Sequence, residues 1–289
     1  MTVISKVKAY LELMRYKNCL MAGLSALVAV FITASILDYS LVGDYIGSFV
    51  GLLKIFSTVF LVTAGGNMLN DYYDVKIDRV NKPHRPIPSG RIGMKETLYL
   101  AALFFIIGIG VIYFICLEAL VIGMINIVLL ISYAKVLKRT ILLGNFTVSY
   151  LTGSTFLFGA AFFGTEGIIV LMPLFLLAFL ATAAREIVKD IEDVEGDSKD
   201  GAVTFPIRYG EKSAAYLAAF FGVVAIFLCP LPYFMDILSI HYFYVLAIGI
   251  FCIIYAIDVL LRKKEYAKSS KFFKIAMFLA LAAFVVGVF

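Results

Sequence analysis

Apolar residues fall in blocks of about twenty along this chain, separated by short polar segments that hold most of the charge. An α-helix needs roughly 20 residues, rising 1.5 Å each, to cross the hydrocarbon of a bilayer. Runs of that kind lie near 18–37, 46–70, 97–115, 117–134, 142–163, 167–188, 213–235, 241–261 and 271–289. The pattern predicts an all-α integral membrane protein of about nine transmembrane helices. The junction at Glu118 is so short that the third and fourth helices form a hairpin with almost no loop. The opening segment, MTVISKVKAYLELMRYKN, is basic and amphipathic, and no small-residue cleavage site follows it, so the first run is kept as a transmembrane helix.

Composition removes the soluble alternative. A length of 289 residues would allow one or two soluble domains, but 62% of the residues are hydrophobic and only 16% charged. With a mean hydropathy of +0.98, the bilayer is this chain's solvent. No Pro/Ser-rich linker or low-complexity stretch divides it, which predicts a single domain over residues 1–289. Cys19, Cys116, Cys229 and Cys252 each stand alone in apolar surroundings and are read as packing residues.

Positive charge sets the orientation. Lys6, Lys8, Arg15 and Lys17 precede the first span, and Lys76, Arg79, Lys82, Arg85, Arg91 and Lys95 follow the second. Lys135, Lys138 and Arg139 follow the fourth, a further group surrounds the end of the sixth, and another joins the eighth to the ninth. Of the 25 Lys and Arg residues, only Lys54 falls elsewhere, snorkelling from the outer part of the second helix. The opposite connections carry Asp38, Asp44, Glu118, Glu166 and Asp236. Cytoplasmic loops are the ones enriched in Lys and Arg, so the expected N-terminus is cytoplasmic and the C-terminus external. The net charge of +5 is then topological and calls for no nucleic-acid partner.

Two of the basic segments hold more than topology requires. The second span ends in GGNMLNDYYDVKIDRVNKPHRPIPSGR and the sixth in AAREIVKDIEDVEGDSKDGAVTFPIRYG. Asp71, Asp74 and Asp78 stand at i, i+3 and i+7, and Asp190, Asp193 and Asp197 repeat that spacing. On a helix these offsets return to one face. Asn67 extends the first ladder by a turn and Asn70 lies beside it, while Arg185, Glu186 and Lys189 surround the approach to the second. Carboxylates stacked in this way repel one another, and orientation gains nothing from them. Hard cations with oxygen ligands would compensate. Mg²⁺ takes a few carboxylates and fills its shell with water and phosphate, and the interleaved Arg79, Lys82, Arg85, Lys138, Arg139 and Lys189 suit phosphate oxygens.

Blander readings stand beside these. Lys263, Lys264, Lys268, Glu192 and Glu195 are read as solvated loop charges. Asn67 and Asn70 have the alternative role of hydrogen-bonding between helices. His84 has no second His or Cys near it and is read as a loop residue.

The same residues resemble a known group. NMLNDYYDVKIDRVNKPHRPIPSG resembles the NDxxDxxxD signature of the UbiA superfamily of intramembrane prenyltransferases, and REIVKDIEDVEGDSKDGAVTFPI resembles that superfamily's second Asp-rich motif. SYAKVLKRTILLGN, from Ser132 to Asn145, is similar to the Tyr/Lys-Arg/Gly-Asn stretch after the fourth helix. Together these motifs extend the resemblance over essentially the whole chain. The second is most similar to that of archaeal digeranylgeranylglyceryl phosphate synthases, which form the second ether bond of archaeal membrane lipids. The acidic pair Glu192 and Glu195 departs from the simplest family pattern.

The resemblance implies a helical bundle around a central cavity, with the Asp motifs above it and a lateral opening for lipid substrates. It also implies two Mg²⁺ ions bridged to an isoprenoid diphosphate. Asn67, Asp71, Asp74 and Asp78 would hold one, and Asp190, Asp193 and Asp197 the other, as the catalytic residues. Asn18, Asn70, Arg79, Arg85, Tyr133, Lys138, Arg139, Arg185 and Lys189 would contact substrate. The implied reaction passes a geranylgeranyl group from its diphosphate to the free hydroxyl of geranylgeranylglyceryl phosphate, a lipid phosphate drawn from the membrane, at the cytoplasmic face. An aromatic acceptor such as a quinone precursor, or haem, is the nearest alternative. An ion-coupled secondary transporter is the alternative of a different class, and it would place its acidic groups near mid-membrane rather than at helix ends.

Overall fold

The polar start of the chain and its first apolar run fold as two helices joined at Arg15. In the computed structural model, which describes residues 3–39, 45–199 and 201–289, α1 (Val3–Met14) turns into α2 (Tyr16–Ile36) through Arg15 at φ 52°. That left-handed backbone costs an L-residue roughly 1–2 kcal/mol. Among the acidic residues of the expected external connections, Asp44 lies outside the described residues.

The second span is α3 (Tyr45–Tyr73), followed by the short α4 (Val75–Asn81). At 29 residues, α3 is about 44 Å long against a hydrocarbon core of about 30 Å, so its last turns reach past the hydrocarbon. Then come α5 (Met94–Tyr113) and α6 (Leu117–Lys135), the hairpin expected at Glu118. Cys116 closes it: its Sγ accepts from the Ala119 N–H at 3.4 Å and donates to the Ala161 carbonyl at 3.0 Å. Lys54 reaches the other end of the same turn, donating to the Phe114 carbonyl at 3.0 Å, a favourable place for a cation at a helix C-terminus.

The second half contains α7 (Leu143–Ala160), α8 (Gly164–Val170), α9 (Met172–Glu192) and the short α10 (Val194–Lys199) and α11 (Phe205–Tyr209). It finishes with α12 (Glu211–Leu228), α13 (Leu231–Phe234), α14 (Tyr242–Asp258) and α15 (Tyr266–Gly287). Among the described residues, eight helices are long and apolar enough to cross a membrane. The sixth expected span, 167–188, is not one of them. Pro173 stands in the first turn of α9, where its missing N–H leaves no hydrogen bond unmade, so the helix starts at Met172 and runs on to Glu192. Its last turns carry Arg185, Glu186, Lys189, Asp190 and Glu192. The helix still packs inside the bundle, against α7, α12 and α15.

The packing is that of a protein in lipid. Ile106, Val128, Phe227 and Phe251 are exposed, while Ala26, Ala29, Ala160, Ala183, Ala184 and Ala218 are fully buried between helices. Lipid tails solvate apolar groups as well as protein does, so close backbone approach supplies the cohesion. The closest approach is at Gly159 of α7, where an added Cβ would stand 2.1 Å from the Ala26 carbonyl oxygen of α2. Gly159→Ala should lower stability by about 1–3 kcal/mol by forcing the two helices apart. Thermal unfolding in detergent, with Gly110→Ala as the control at a glycine facing open space, measures it.

Candidate active site

Both acidic motifs break their helix at the middle aspartate. The i, i+3, i+7 spacing predicted three carboxylates on one continuous face, but α3 stops at Tyr73 and α9 at Glu192. Asp74 (φ −85°, ψ 0°) and Asp193 (φ −95°, ψ 3°) sit at the junctions in nearly the same conformation. The reason lies in the residue type. Aspartate is poor in a helix interior because its short side chain competes for nearby backbone groups, and stacked carboxylates repel. The backbone bonds carry across the break, Asp78 N–H to the Asp74 carbonyl at 2.8 Å and Asp197 N–H to the Asp193 carbonyl at 2.9 Å. The repeat seen in the sequence is therefore also a repeat of structure.

Basic side chains meet the first motif. Asp71 is buried and accepts from Arg15 Nη2 at 2.5 Å and Arg85 Nη1 at 3.3 Å, and the same Arg85 nitrogen reaches Asp78 at 2.6 Å. Asp74 pairs with Lys138 and accepts from Asn70 Nδ2 at 3.1 Å, while Lys138 also donates to Asn70 Oδ1 at 3.3 Å. Burial pulls the Lys138 ammonium below its usual range, against the opposing pull of Asp74. Asn67 donates from Nδ2 to the Met14 carbonyl at 2.9 Å and to the Cys19 Sγ at 3.7 Å, which ties α3 to the α1–α2 corner and leaves its oxygen as the available ligand.

Asp190 of the second motif is less neutralised than Asp71 of the first. Asp190 accepts from Asn145 Nδ2 at 2.9 Å and makes no ion pair among the described residues. Glu186 is buried and takes Arg185 at 2.6 Å and Lys189 at 3.0 Å. Asp193 is exposed and lines a shallow cleft between α9 and α15. Asp197 lies half-buried on α10, and Glu192 and Glu195 are exposed.

Between the motifs opens a cavity of about 840 Å³. Its mouth is polar, with Asn18, Asn67, Asn70, Tyr133, Arg185 and Lys189 among its lining residues. Deeper walls are apolar, including Val59, Leu130, Leu151, Phe156, Leu246 and Phe284. Asp71, Asp74, Asp78, Asp190, Arg85 and Lys138 stand just behind the mouth, each bonded to another residue of the set or to a residue packed on it.

Two expected substrate contacts are not brought there. Arg79 is exposed on α4, about 100° around the helix from the inward Asp78. Arg139 is exposed too, and its contribution is through the backbone, where its carbonyl accepts the Val203 N–H at 3.0 Å and ties the loop after α6 to the segment following the second motif. Conversely, Arg15, in the sequence only one of the basic residues that set topology, meets Asp71 directly. The one sign of its different role is that it is the sole arginine in a segment otherwise bearing lysines, and arginine is the residue suited to a carboxylate. Asn145 had a clearer signal, as the last residue of the Gly-Asn stretch.

The donor set is oxygen from carboxylates and an amide, with neither sulfur nor imidazole, which fits a hard divalent cation. Among the described residues, no three acidic, His or Cys side chains converge on one point. A cation here would take few protein ligands and complete its shell with water and phosphate oxygens, as Mg²⁺ does.

A membrane-embedded helical bundle whose apolar cavity opens through a mouth of amides and cations, with carboxylates bonded behind them, defines a class of protein that handles amphiphiles with anionic heads. The chain belongs to the UbiA prenyltransferase family, whose model matches residues 22–282. The digeranylgeranylglyceryl phosphate synthase of Methanosarcina mazei is 50% identical over 98% of this chain and 99% of its own length. That of Methanocaldococcus jannaschii is 42% identical over 98% and 97%. A solved structure of a digeranylgeranylglyceryl phosphate synthase, 42% identical, superposes with a TM-score of 0.81 over 98% of both chains. A UbiA homolog from Archaeoglobus fulgidus bound to DMAPP and Mg²⁺ shares the fold at 14% identity, with a TM-score of 0.64 over 96% of this chain and 99% of that one. The resemblance carried by the three motifs is borne out.

Proposed function

We propose that this chain transfers the geranylgeranyl group of geranylgeranyl diphosphate to the free hydroxyl of geranylgeranylglyceryl phosphate, forming an ether bond of archaeal membrane lipids. The carrying observation is the cavity itself, apolar in its body and polar at a mouth whose Arg15 and Asn70 bond to Asp71 and Asp74 and whose Glu186 and Lys189 stand on the turn that leads into the second motif. Relatives at 50% identity over nearly the full chain support the choice of acceptor.

The apolar walls bind the prenyl chain at about 0.8 kcal/mol per buried CH₂, which holds the allylic carbon below the mouth. Asn67, Asp71, Asp74 and Asp78 would hold one Mg²⁺, and Asp190, Asp193 and Asp197 a second; when bound, these ions supply the charge that makes diphosphate a competent leaving group. Mg²⁺ is the ion that the A. fulgidus homolog holds with its DMAPP. Arg15, Arg85 and Lys138, now paired with the first motif, are within reach to exchange a carboxylate for a phosphate oxygen as the substrate enters. The walls keep water from the allylic cation. The bond from the allylic carbon to diphosphate breaks, the acceptor oxygen bonds to the carbon, and the hydroxyl proton passes to the released diphosphate, with no protein base invoked. The mouth opens on the cytoplasmic face, where the basic loops lie.

The transporter reading has lost its footing. The two charges nearest to span interiors in the sequence are Lys54 and Asp258. Lys54 bonds to the turn after α5, and Asp258 ends α14 paired with Arg262 at 3.1 Å. Purified protein should lose turnover in EDTA and regain it with added Mg²⁺. Activity that survives chelation would contradict the metal assignment.

A further inference from the structure

A second recess lies beside the main cavity, between α9 and α15. This cleft of about 380 Å³ is lined by Arg185, Lys189, Glu192 and Asp193 from one helix and Ala267, Ser270, Lys271 and Lys274 from the other. Each set keeps helical spacing, so two whole faces meet there. Arg185, Lys189 and Lys274 also line the main cavity, which sets the two spaces side by side with these three side chains between them.

The cleft is rich in unused donors. Lys271 and Lys274 are exposed and form no ion pair among the described residues. Ser270 is buried, yet its hydroxyl makes no hydrogen bond among the described residues, and the Arg185 Nε is buried without a partner. Four cations face Glu192 and Asp193 in the lining and Glu186 behind it, which leaves positive charge over. The excess is one positive charge, and a phosphate monoester carries about −1.5 to −2 at neutral pH, so it would neutralise that excess and draw on the Arg185 and Lys189 charges now held by Glu186. Asp190 turns instead toward Asn145 of α7, whereas Asp193 of the same motif lines the cleft with the basic row, so the second motif reaches both spaces.

We propose that this cleft seats the phosphate of the acceptor lipid, with Lys271, Lys274, Arg185, Lys189 and Ser270 as its anion-binding groups, a reading that rests on the acceptor assigned above. In a glycerol ether phosphate the free hydroxyl stands within two carbons of the phosphate ester. Phosphate anchored in the cleft therefore delivers that hydroxyl across the Arg185–Lys189–Lys274 seam into the mouth of the cavity. Ala267 leaves room for the head group where a longer side chain would fill it. The site selects acceptors by their phosphate, which an aromatic acceptor lacks.

The test compares steady-state kinetics of the full-length wild type and the double variant Lys271→Gln/Lys274→Gln, with each substrate varied in turn. Loss of two charge-assisted contacts should raise the KM for geranylgeranylglyceryl phosphate about 30-fold. The KM for geranylgeranyl diphosphate should stay within about twofold, and Lys271→Arg/Lys274→Arg should restore acceptor binding. An unchanged acceptor KM would overturn the site, and so would a rise confined to the donor KM, which would give the cleft to the diphosphate. Wild-type protein that forms no product from this acceptor would instead overturn the acceptor assignment, and the site with it.

Discussion

Asp71→Asn abolishes prenyl transfer and leaves the protein folded. Asparagine keeps the shape of the buried side chain and an oxygen to accept from Arg15 at 2.5 Å and Arg85 at 3.3 Å, but it removes the charge on which a cation site depends. The loss of turnover should be about a thousandfold, the scale of deleting one preorganised electrostatic partner of a developing charge. Breaking a fully buried ion pair would cost about 3–5 kcal/mol. Here the guanidinium partners retain 33% and 22% side-chain exposure, so water relieves them and the cost should be nearer 1–2 kcal/mol. Turnover by product formation and thermal unfolding in detergent separate the two effects. Near-wild-type turnover would remove Asp71 from the cation site.

Asp190→Asn should produce the same loss of turnover by a route that spares stability altogether. Asp190 accepts one hydrogen bond, from Asn145 at 2.9 Å, and has no ion pair among the described residues. Burial and the neighbouring Asp197 and Glu186 carboxylates disfavour its charge, against a smaller opposing pull from Lys189, and replacing it by a neutral amide relieves that penalty. Turnover should fall about a thousandfold, while the unfolding temperature stays level or rises. A variant that loses stability in step with activity would make Asp190 a structural residue. The contrast with Asp71 is informative because the two motifs share spacing and backbone conformation but differ in their neutralisation.

Sequence periodicity makes the spans legible because each must present a long apolar run to lipid, and that signal does not depend on which helices are neighbours. It failed at α9, where apolar residues before Pro173 and charges after Thr182 blurred both ends. The aspartate spacing was equally plain, yet it said nothing of the helix breaks, since a periodic pattern does not register that an aspartate prefers a junction to a helix interior. Contacts between distant residues were hidden for a different reason. Arg15 meets Asp71 only because α1 and α2 fold against α3, and Asn145 meets Asp190 only because α7 packs on α9. Lys271 and Lys274 belong in the sequence to the basic group that joins the eighth span to the ninth, and only the packing of α15 on α9 places them beside Arg185 and Lys189. The sequence exposes the chemistry of each helix end, whereas the pairing of ends belongs to the tertiary structure.

The central claim is the pairing of this donor with this acceptor. Purified protein incubated with geranylgeranyl diphosphate, Mg²⁺ and, in separate reactions, geranylgeranylglyceryl phosphate or an aromatic quinone precursor, with products identified by mass spectrometry, tests it most directly. The expected products are digeranylgeranylglyceryl phosphate from the first reaction and no prenylated compound from the second. A prenylated aromatic product alone, or no release of diphosphate in either reaction, would contradict it.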